Sequence, residues 1–268
     1  MLDIQNAVKV FEKGTPIEHT ALNHVSLHLD AGEFVTVIGS NGAGKSTLFN
    51  AVCGSFLLSE GRIFLDGQDI TYLKEHRRAQ SIGRVFQDPM KGTAPHMTIE
   101  ENLSLAYSRA TSKPLSFAPS RKQAALFREK ISEFGMNLED RMKTKVGLLS
   151  GGQRQAVTLL MCTIVPPKLL LLDEHTAALD PATAEKVMEI TRRTVEQHHL
   201  TTLMITHNMA SALAIGNRTV MMDAGQILFD LSGEQRAGTT VDDLLRLYYN
   251  SRHQHLDNDR MLLQRGGQ

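Results

Sequence analysis

The chain has 268 residues, 41% of them apolar, with 29 basic and 29 acidic side chains that cancel. That length holds one large domain or two small ones, and the neutral balance excludes a general polyanion binder such as a nucleic-acid coat. Cys53 and Cys162 are the only cysteines and both lie in apolar surroundings, so free buried thiols in a reducing compartment are expected instead of a disulfide framework.

The first residues, Met1-Leu2-Asp3-Ile4-Gln5, carry neither a basic n-region nor a long apolar stretch, so no signal peptide is expected. The most apolar region, 156–172, is broken by Pro166, Pro167 and Lys168 and cannot span a bilayer. A soluble, cytosolic chain is predicted, touching a membrane only through a partner.

Taken in order, short strands alternate with helical stretches, the pattern of an α/β fold. Val25, Leu27 and Leu29 alternate with polar residues and predict an edge or half-buried strand. Phe34-Val35-Thr36-Val37-Ile38 reads as a buried strand, and Gly39-Ser40-Asn41-Gly42-Ala43-Gly44-Lys45-Ser46 follows at once, with a helix predicted from Lys45 onward. The octet fits the phosphate-cradling pattern G-x-x-x-x-G-K-[ST], and strand, glycine loop, helix is the context it requires. Gly39, Gly42 and Gly44 let the backbone curl so that successive N–H groups meet one anion. Lys45 is expected to reach the terminal phosphates and the Ser46 hydroxyl to ligate Mg²⁺. The candidate nucleotide-binding set is Gly39, Ser40, Asn41, Gly42, Ala43, Gly44, Lys45, Ser46 and Thr47.

Arg62–Leu65 with the Asp66-Gly67 turn predicts a hairpin, and Ile82–Phe86 another strand. Gln87 follows that strand at once and could reach Mg²⁺ or an attacking water. Residues 98–148 carry helical signals: Thr98 with Glu101 forms a capping box, and Phe127–Phe134 has helical spacing. Leu149-Ser150-Gly151-Gly152-Gln153 opens a further helix. Alone, that turn is equally a good N-cap with flexible glycines. Beside a phosphate loop in the same chain, it offers a second anion-binding helix start.

Leu169–Leu172 is an apolar strand ending in Asp173-Glu174. Asp173, at the strand's C-terminal edge, is the candidate to hold Mg²⁺ directly or through water, and Glu174 the candidate general base. A helix capped by Asp180 with Pro181 at its first position follows. Strand Thr202–Ile205 ends at Thr206-His207; His207 thus falls at the sheet edge where ligands bind, within reach of a γ-phosphate or Glu174. A Met221–Phe229 hairpin, a helix over Val241–Tyr249 and a polar tail expected to be disordered complete the chain.

The series Gly39–Ser46, Gln87, Leu149–Gln153, Asp173-Glu174, Ala178-Leu179-Asp180 and His207 resembles the ATP-binding subunits of ABC transporters over nearly the whole chain, and the Leu-Ser-Gly-Gly-Gln string is highly specific. The resemblance implies a P-loop NTPase fold: a RecA-like core and antiparallel β subdomain over about 1–89 and 161–252, with a helical subdomain over about 90–160 and a tail over 253–268. It implies ATP and Mg²⁺ as ligands, and a head-to-tail pair of identical subunits. The ATP held by Lys45 of one copy would be capped by Ser150 and Gly152 of the other, with Gly151 and Gln153 in the same turn and Asp180 contacting the opposite loop. Phe11 stands where an aromatic, more often Tyr, stacks on adenine, and Phe keeps the π-face. His175 stands where many members carry Pro. The loop Gln87–Pro95 matches the surface that receives a membrane subunit, although an ordinary solvent loop would read the same way.

Within the family the chain is similar to bacterial import ATPases that work with a solute-binding protein and a separate permease, especially those for branched-chain amino acids. That similarity implies a place on the cytoplasmic side of the inner membrane and a solute that is an amino acid, aromatic ones included, or a related small organic molecule. An exporter subunit is the open alternative. DNA-repair or chromosome-type ATPases would bring long coiled coils, zinc-binding cysteines or a second cassette, and a P-loop kinase would lack Leu149–Gln153.

Overall fold

The computed structural model describes residues 1–111 and 119–251. The predicted polar tail, 253–268, lies outside the described residues.

Two sheets form the frame. The smaller is antiparallel, with β1 (Leu2–Phe11), β2 (His19–Leu29), β4 (Glu60–Leu65) and β5 (Gln68–Asp69) in the order β2-β1-β4-β5. The larger contains β3 (Phe34–Gly39), β6 (Ile82–Val85), β7 (Leu169–Asp173), β8 (Thr202–Ile205), β9 (Arg218–Asp223) and β10 (Gln226–Ser232), ordered β10-β9-β3-β8-β7-β6. It is parallel except for β10, which returns antiparallel to β9.

The parallel strands of the larger sheet are largely buried, and their alternation sorts side chains between two cores. Val35, Val37, Leu169, Leu171, Leu203, Ile205, Val220 and Met222 face one cluster, together with Leu48, Phe49 and Val52 of α1 (Lys45–Cys53) and the inner face of the small sheet. Leu170, Leu172 and Met204 face the other. There they meet α3 (Ile99–Thr111), α4 (Arg121–Ser132), α5 (Gly151–Thr163) and α6 (Pro181–His198). Thus α1 lies between the two sheets, and the longer helices cover the opposite face. Both cysteines are buried free thiols, as expected from the composition.

Local signals account for the helix starts. Thr98 and Glu101 exchange capping bonds before α3, Ser120 and Gln123 form a capping box before α4, and Asp180 Oδ1 accepts from the Thr183 amide at 3.1 Å before α6. The predicted hairpins and the strands at 34–38, 82–86, 169–172 and 202–205 are present to within a residue or two. The strand expected over 25–29 starts earlier, at His19, and is the sheet's edge. Strand β1 has no counterpart in the sequence reading: its ladder with β2 shifts register three times, which breaks the clean alternation that marks a strand. The short α2 (Glu75–Arg78), α7 (Met209–Ala214) and α8 (Gly233–Ala237) were also not legible. Residues 241–251 form α9, in line with the expected helix. Among the described residues no helix is long and apolar enough to cross a membrane.

Arg236 of α8 holds the end of α7 in place. Its Nη2 donates to the carbonyls of Ala212, Leu213 and Ile215 at 2.9, 2.9 and 2.7 Å, and its Nε to Thr219 Oγ1 at 3.0 Å. These carbonyls are the acceptors a helix terminus leaves without intrahelical partners. Arg236→Ala is expected to cost about 2–3 kcal/mol of unfolding free energy, measured by urea denaturation. A loss below about 0.5 kcal/mol, the level of ordinary surface changes, would show that water replaces the guanidinium without penalty.

Candidate functional site

The glycine loop leaves β3 and delivers the chain into α1 through backbone forms that a side chain would obstruct. Gly39 has φ +153, and a Cβ there would sit 2.2 Å from the Met222 carbonyl oxygen. Gly44 has φ +96, and a Cβ would meet the Ala21 carbonyl at 2.6 Å. No side chain caps α1. Its first amide donors therefore lack partners from the helix, and such a terminus favours an anion. Lys45 is buried, with Nζ donating to the carbonyls of Gly39 and Ser40 at 2.8 Å each. Burial pushes its pKa down, and the nearby carboxylates of Glu174 and Asp173 oppose that shift.

A cavity of about 260 Å³ opens over this turn, lined by Phe11, His19, Ala21, Asn41, Gly42, Ala43, Gly44, Lys45, Ser46, Thr47, Glu174 and His207. Residues far apart in sequence meet there because β8 lies between β3 and β7. The pairing sets Val37, Ile205 and Asp173 at one level across three strands, so the next residues of β7 and β8 emerge beside the loop. Glu174 has φ +47, a left-handed form uncommon for a side-chain-bearing residue. Its Oε1 lies 2.6 Å from His207 Nε2. A carboxylate only accepts, so Nε2 carries the hydrogen in this pair.

Asp173, at the last position of β7, is not among the residues lining the cavity. Its Oδ2 accepts from Arg84 Nη2 at 2.7 Å, an ion pair in which each side chain is 13% exposed. Sequence reasoning missed this arginine; a charged residue inside a buried strand, Ile82–Val85, was the available signal. His19, opposite Phe11 across the β1–β2 ladder, was also missed. Phe11 stacks edge-on with Phe56 at 5.3 Å, and Lys9 Nζ lies 4.9 Å from its ring centre. Gln87 is exposed just beyond β6 and outside the cavity. The departure at 175 is a core substitution: His175 is 2% exposed, and burial lowers its pKa to about 4. Its Nε2 lies 3.0 Å from Thr191 Oγ1. That hydroxyl donates to the Val187 carbonyl, so the neutral imidazole donates to Thr191.

The Ser150 turn lies elsewhere. None of residues 149–153 lines the cavity. Ser150 and Gln153 close a capping box on α5, so the structural reading of this turn holds within the chain. Asp180 caps α6 by accepting from the Thr183 amide, and its bonds from Thr183 hold its carboxyl below the usual carboxylate range. The two helix starts touch: a Cβ on Gly152 would fall 2.1 Å from Thr183 Cγ2, and one on Gly151 3.1 Å from Leu179 Cδ2.

A glycine turn between a parallel strand and an uncapped helix, with carboxylates arriving from a strand two places away, defines a P-loop NTPase. Comparison with known proteins gives the family. The family model described as ABC transporter matches residues 22–177. The tyrosine transport ATP-binding protein of Clostridioides difficile is 42% identical over 249 residues, covering 92% of this chain and 98% of that protein. The phosphonates import ATP-binding protein of Lactobacillus johnsonii is 32% identical over 251 residues, covering 91% and 95%. A dimeric ATP-binding cassette in a post-hydrolysis state with ADP and Pi superposes with a TM-score of 0.74 at 27% identity, over 87% of this chain and 98% of that one. The chain belongs to the ABC transporter family and is an ATP-binding, ATP-hydrolysing cassette of it.

The contact between Gly152 and Thr183 generates a prediction. Gly152→Ala should destabilise by about 1–2 kcal/mol through overpacking, despite the gain of roughly 1 kcal/mol in helix propensity. Adding Thr183→Ser removes the crowding methyl, and a double-mutant cycle in thermal or chemical denaturation should return most of the loss. Strictly additive effects would mean that the two helix starts do not press on each other.

Proposed function

We propose that this chain is the ATPase subunit of an importer that takes up tyrosine or a related amino acid through a separate permease. The observation that carries the mechanism is the convergence of Lys45, Glu174 and His207 on one cavity that lacks its own chain's Ser150 turn. The cavity is incomplete in one chain, and a second copy, arranged head to tail, supplies Ser150, Gly151, Gly152 and Gln153. The dimeric relative with ADP and Pi supports this arrangement, and the tyrosine transport relative supports the solute.

ATP binds with its phosphates against the amides of Gly42, Gly44 and Lys45 and its adenine against Phe11 and His19. Lys45 Nζ leaves the loop carbonyls for the terminal phosphates. Mg²⁺ fits the donor set: Asp173 is a hard oxygen donor and the Ser46 hydroxyl is exposed. Among the described residues no cluster of three His, Cys, Asp or Glu could hold an ion alone. Asp173 and Ser46 would hold Mg²⁺ together with the nucleotide, and the bound ion would neutralise charge on the transferring phosphoryl group. Glu174 orients water for in-line attack, and His207, held at 2.6 Å, keeps that carboxylate aimed and faces the γ-phosphate. Gln87, just beyond β6, would reach Mg²⁺ or the attacking water once the pair closes. ATP thus favours the closed pair, and loss of phosphate releases it.

The loop Gln87–Pro95 passes the motion to the permease, with residues 90–160 moving as the helical subdomain. The chain works peripherally on the cytoplasmic side of the inner membrane, and a solute-binding protein delivers the solute outside.

Glu174→Gln should lower ATP turnover by about 10²-fold or more, retain ATP binding and run as a dimer with ATP in size-exclusion chromatography. Cells lacking this chain should lose uptake of labelled tyrosine, recovered with the wild-type gene but not with Glu174→Gln. Wild-type turnover by the variant removes the general-base role, and unchanged tyrosine uptake removes the solute.

A further inference from the structure

Arg84 links elements behind the nucleotide cavity, and besides the contacts that follow its charge also acts on the buried Cys53 thiol of α1. Its Nη2 donates to Asp173 Oδ2 at 2.7 Å, and its Nη1 to Asn50 Oδ1 at 2.7 Å. Its guanidinium carbon lies 4.6 Å from the Phe86 ring centre, one residue before Gln87. Asn50 belongs to α1 and lies four residues after Ser46, so the two share a helix face. Arg84 therefore ties the strand bearing Asp173 to the helix bearing Ser46. Its Nε is buried without a hydrogen-bond partner. Leaving a buried donor unmade is unfavourable, so full satisfaction of the guanidinium does not explain its placement, whereas the fork between Asp173 and Asn50 does.

Asp173 is consequently left with one oxygen, Oδ1, that the guanidinium does not engage. A carboxylate held this way offers a single oxygen to a cation. Mg²⁺ takes oxygens singly in a tight octahedron, whereas Ca²⁺ is larger and readily takes both oxygens of one carboxylate. We propose that Arg84 is a positioning residue for metal selection: by occupying Oδ2 of Asp173, it confines that carboxylate to one-oxygen coordination and favours Mg²⁺ over larger divalent cations. Arg84 touches neither nucleotide nor metal in this arrangement; it acts through Asp173 and Asn50. The inference rests on the reading of Asp173 as the metal carboxylate, and the test separates the two.

Binding of AMP-PNP to the full chain is measured by calorimetry with Mg²⁺ alone and with Ca²⁺ alone, so that no turnover is needed. The wild type should bind more tightly with Mg²⁺, and Arg84→Met should shrink the ratio of the two affinities by about threefold or more as Oδ2 becomes available. Arg84→Lys keeps a cation but cannot span both Asp173 and Asn50. It should shift the ratio in the same direction, and it serves as the test should the Met variant melt early by circular dichroism. A folded Arg84 variant with the wild-type ratio overturns the proposal. Asp173→Asn is the control. If it loses the dependence on metal, the Asp173 reading stands and the Arg84 ratio is judged alone; if it binds like the wild type, that reading falls and the proposal falls with it.

Discussion

The site depends on a helix that begins without a cap. The amides in the first turn of α1 have neither a side-chain acceptor nor an intrahelical one. Such a terminus is tolerable at a surface, but here Lys45, Leu48 and Phe49 are buried between two sheets. The helix cannot unwind its first turn to find water without disturbing that packing. Rigid apolar packing behind the turn and unmet donors in front of it are thus one constraint, and an anion is what satisfies it. The burial that fixes α1 also lowers the pKa of Lys45, and Glu174 and Asp173 act against that effect.

Those carboxylates reach the site through sheet order alone. With β8 between β3 and β7, residues more than a hundred positions apart emerge at one edge. The two carboxylates have separate environments. Asp173 is held by Arg84 inside the frame, whereas Glu174 turns out of the strand in a left-handed conformation and meets His207. Its amide still donates to Ile205 O at 3.1 Å. That backbone form is unfavourable by about 1–3 kcal/mol. Its location beside the phosphate loop, and not in a hairpin turn, makes it a feature of the site.

How much of this could be read from the chain depended on whether the signal was local. Glycine spacing, capping pairs and strand-ending carboxylates are local, and from the chain alone they point to the loop, Asp173, Glu174 and His207 at one sheet edge. Arg84 to Asp173, Arg236 to the end of α7, and Phe11 to His19 depend on pairing between distant segments, which periodicity does not encode. Strand β1 was missed for a related reason. Its register shifts erase the alternation by which strands are found. His175 was seen as a departure from the family pattern, but only its bond to Thr191 shows that it packs α6 against the strand end.

The Ser150 turn shows why the competing readings of a glycine motif need not exclude each other. Within one chain Ser150 and Gln153 satisfy each other, and Gly152 has no side chain because Thr183 of the next helix occupies the space. Those contacts would be sufficient reason for the sequence. They also lock the start of α5 against the start of α6, so that Ser150 and Asp180 are carried on one rigid corner, both exposed. A corner assembled this way presents a helix N-terminus outward without using its own cavity. The packing reading is therefore compatible with the binding one: in the head-to-tail pair proposed above, a turn offered to another copy's phosphate would already be stiffened by its own chain.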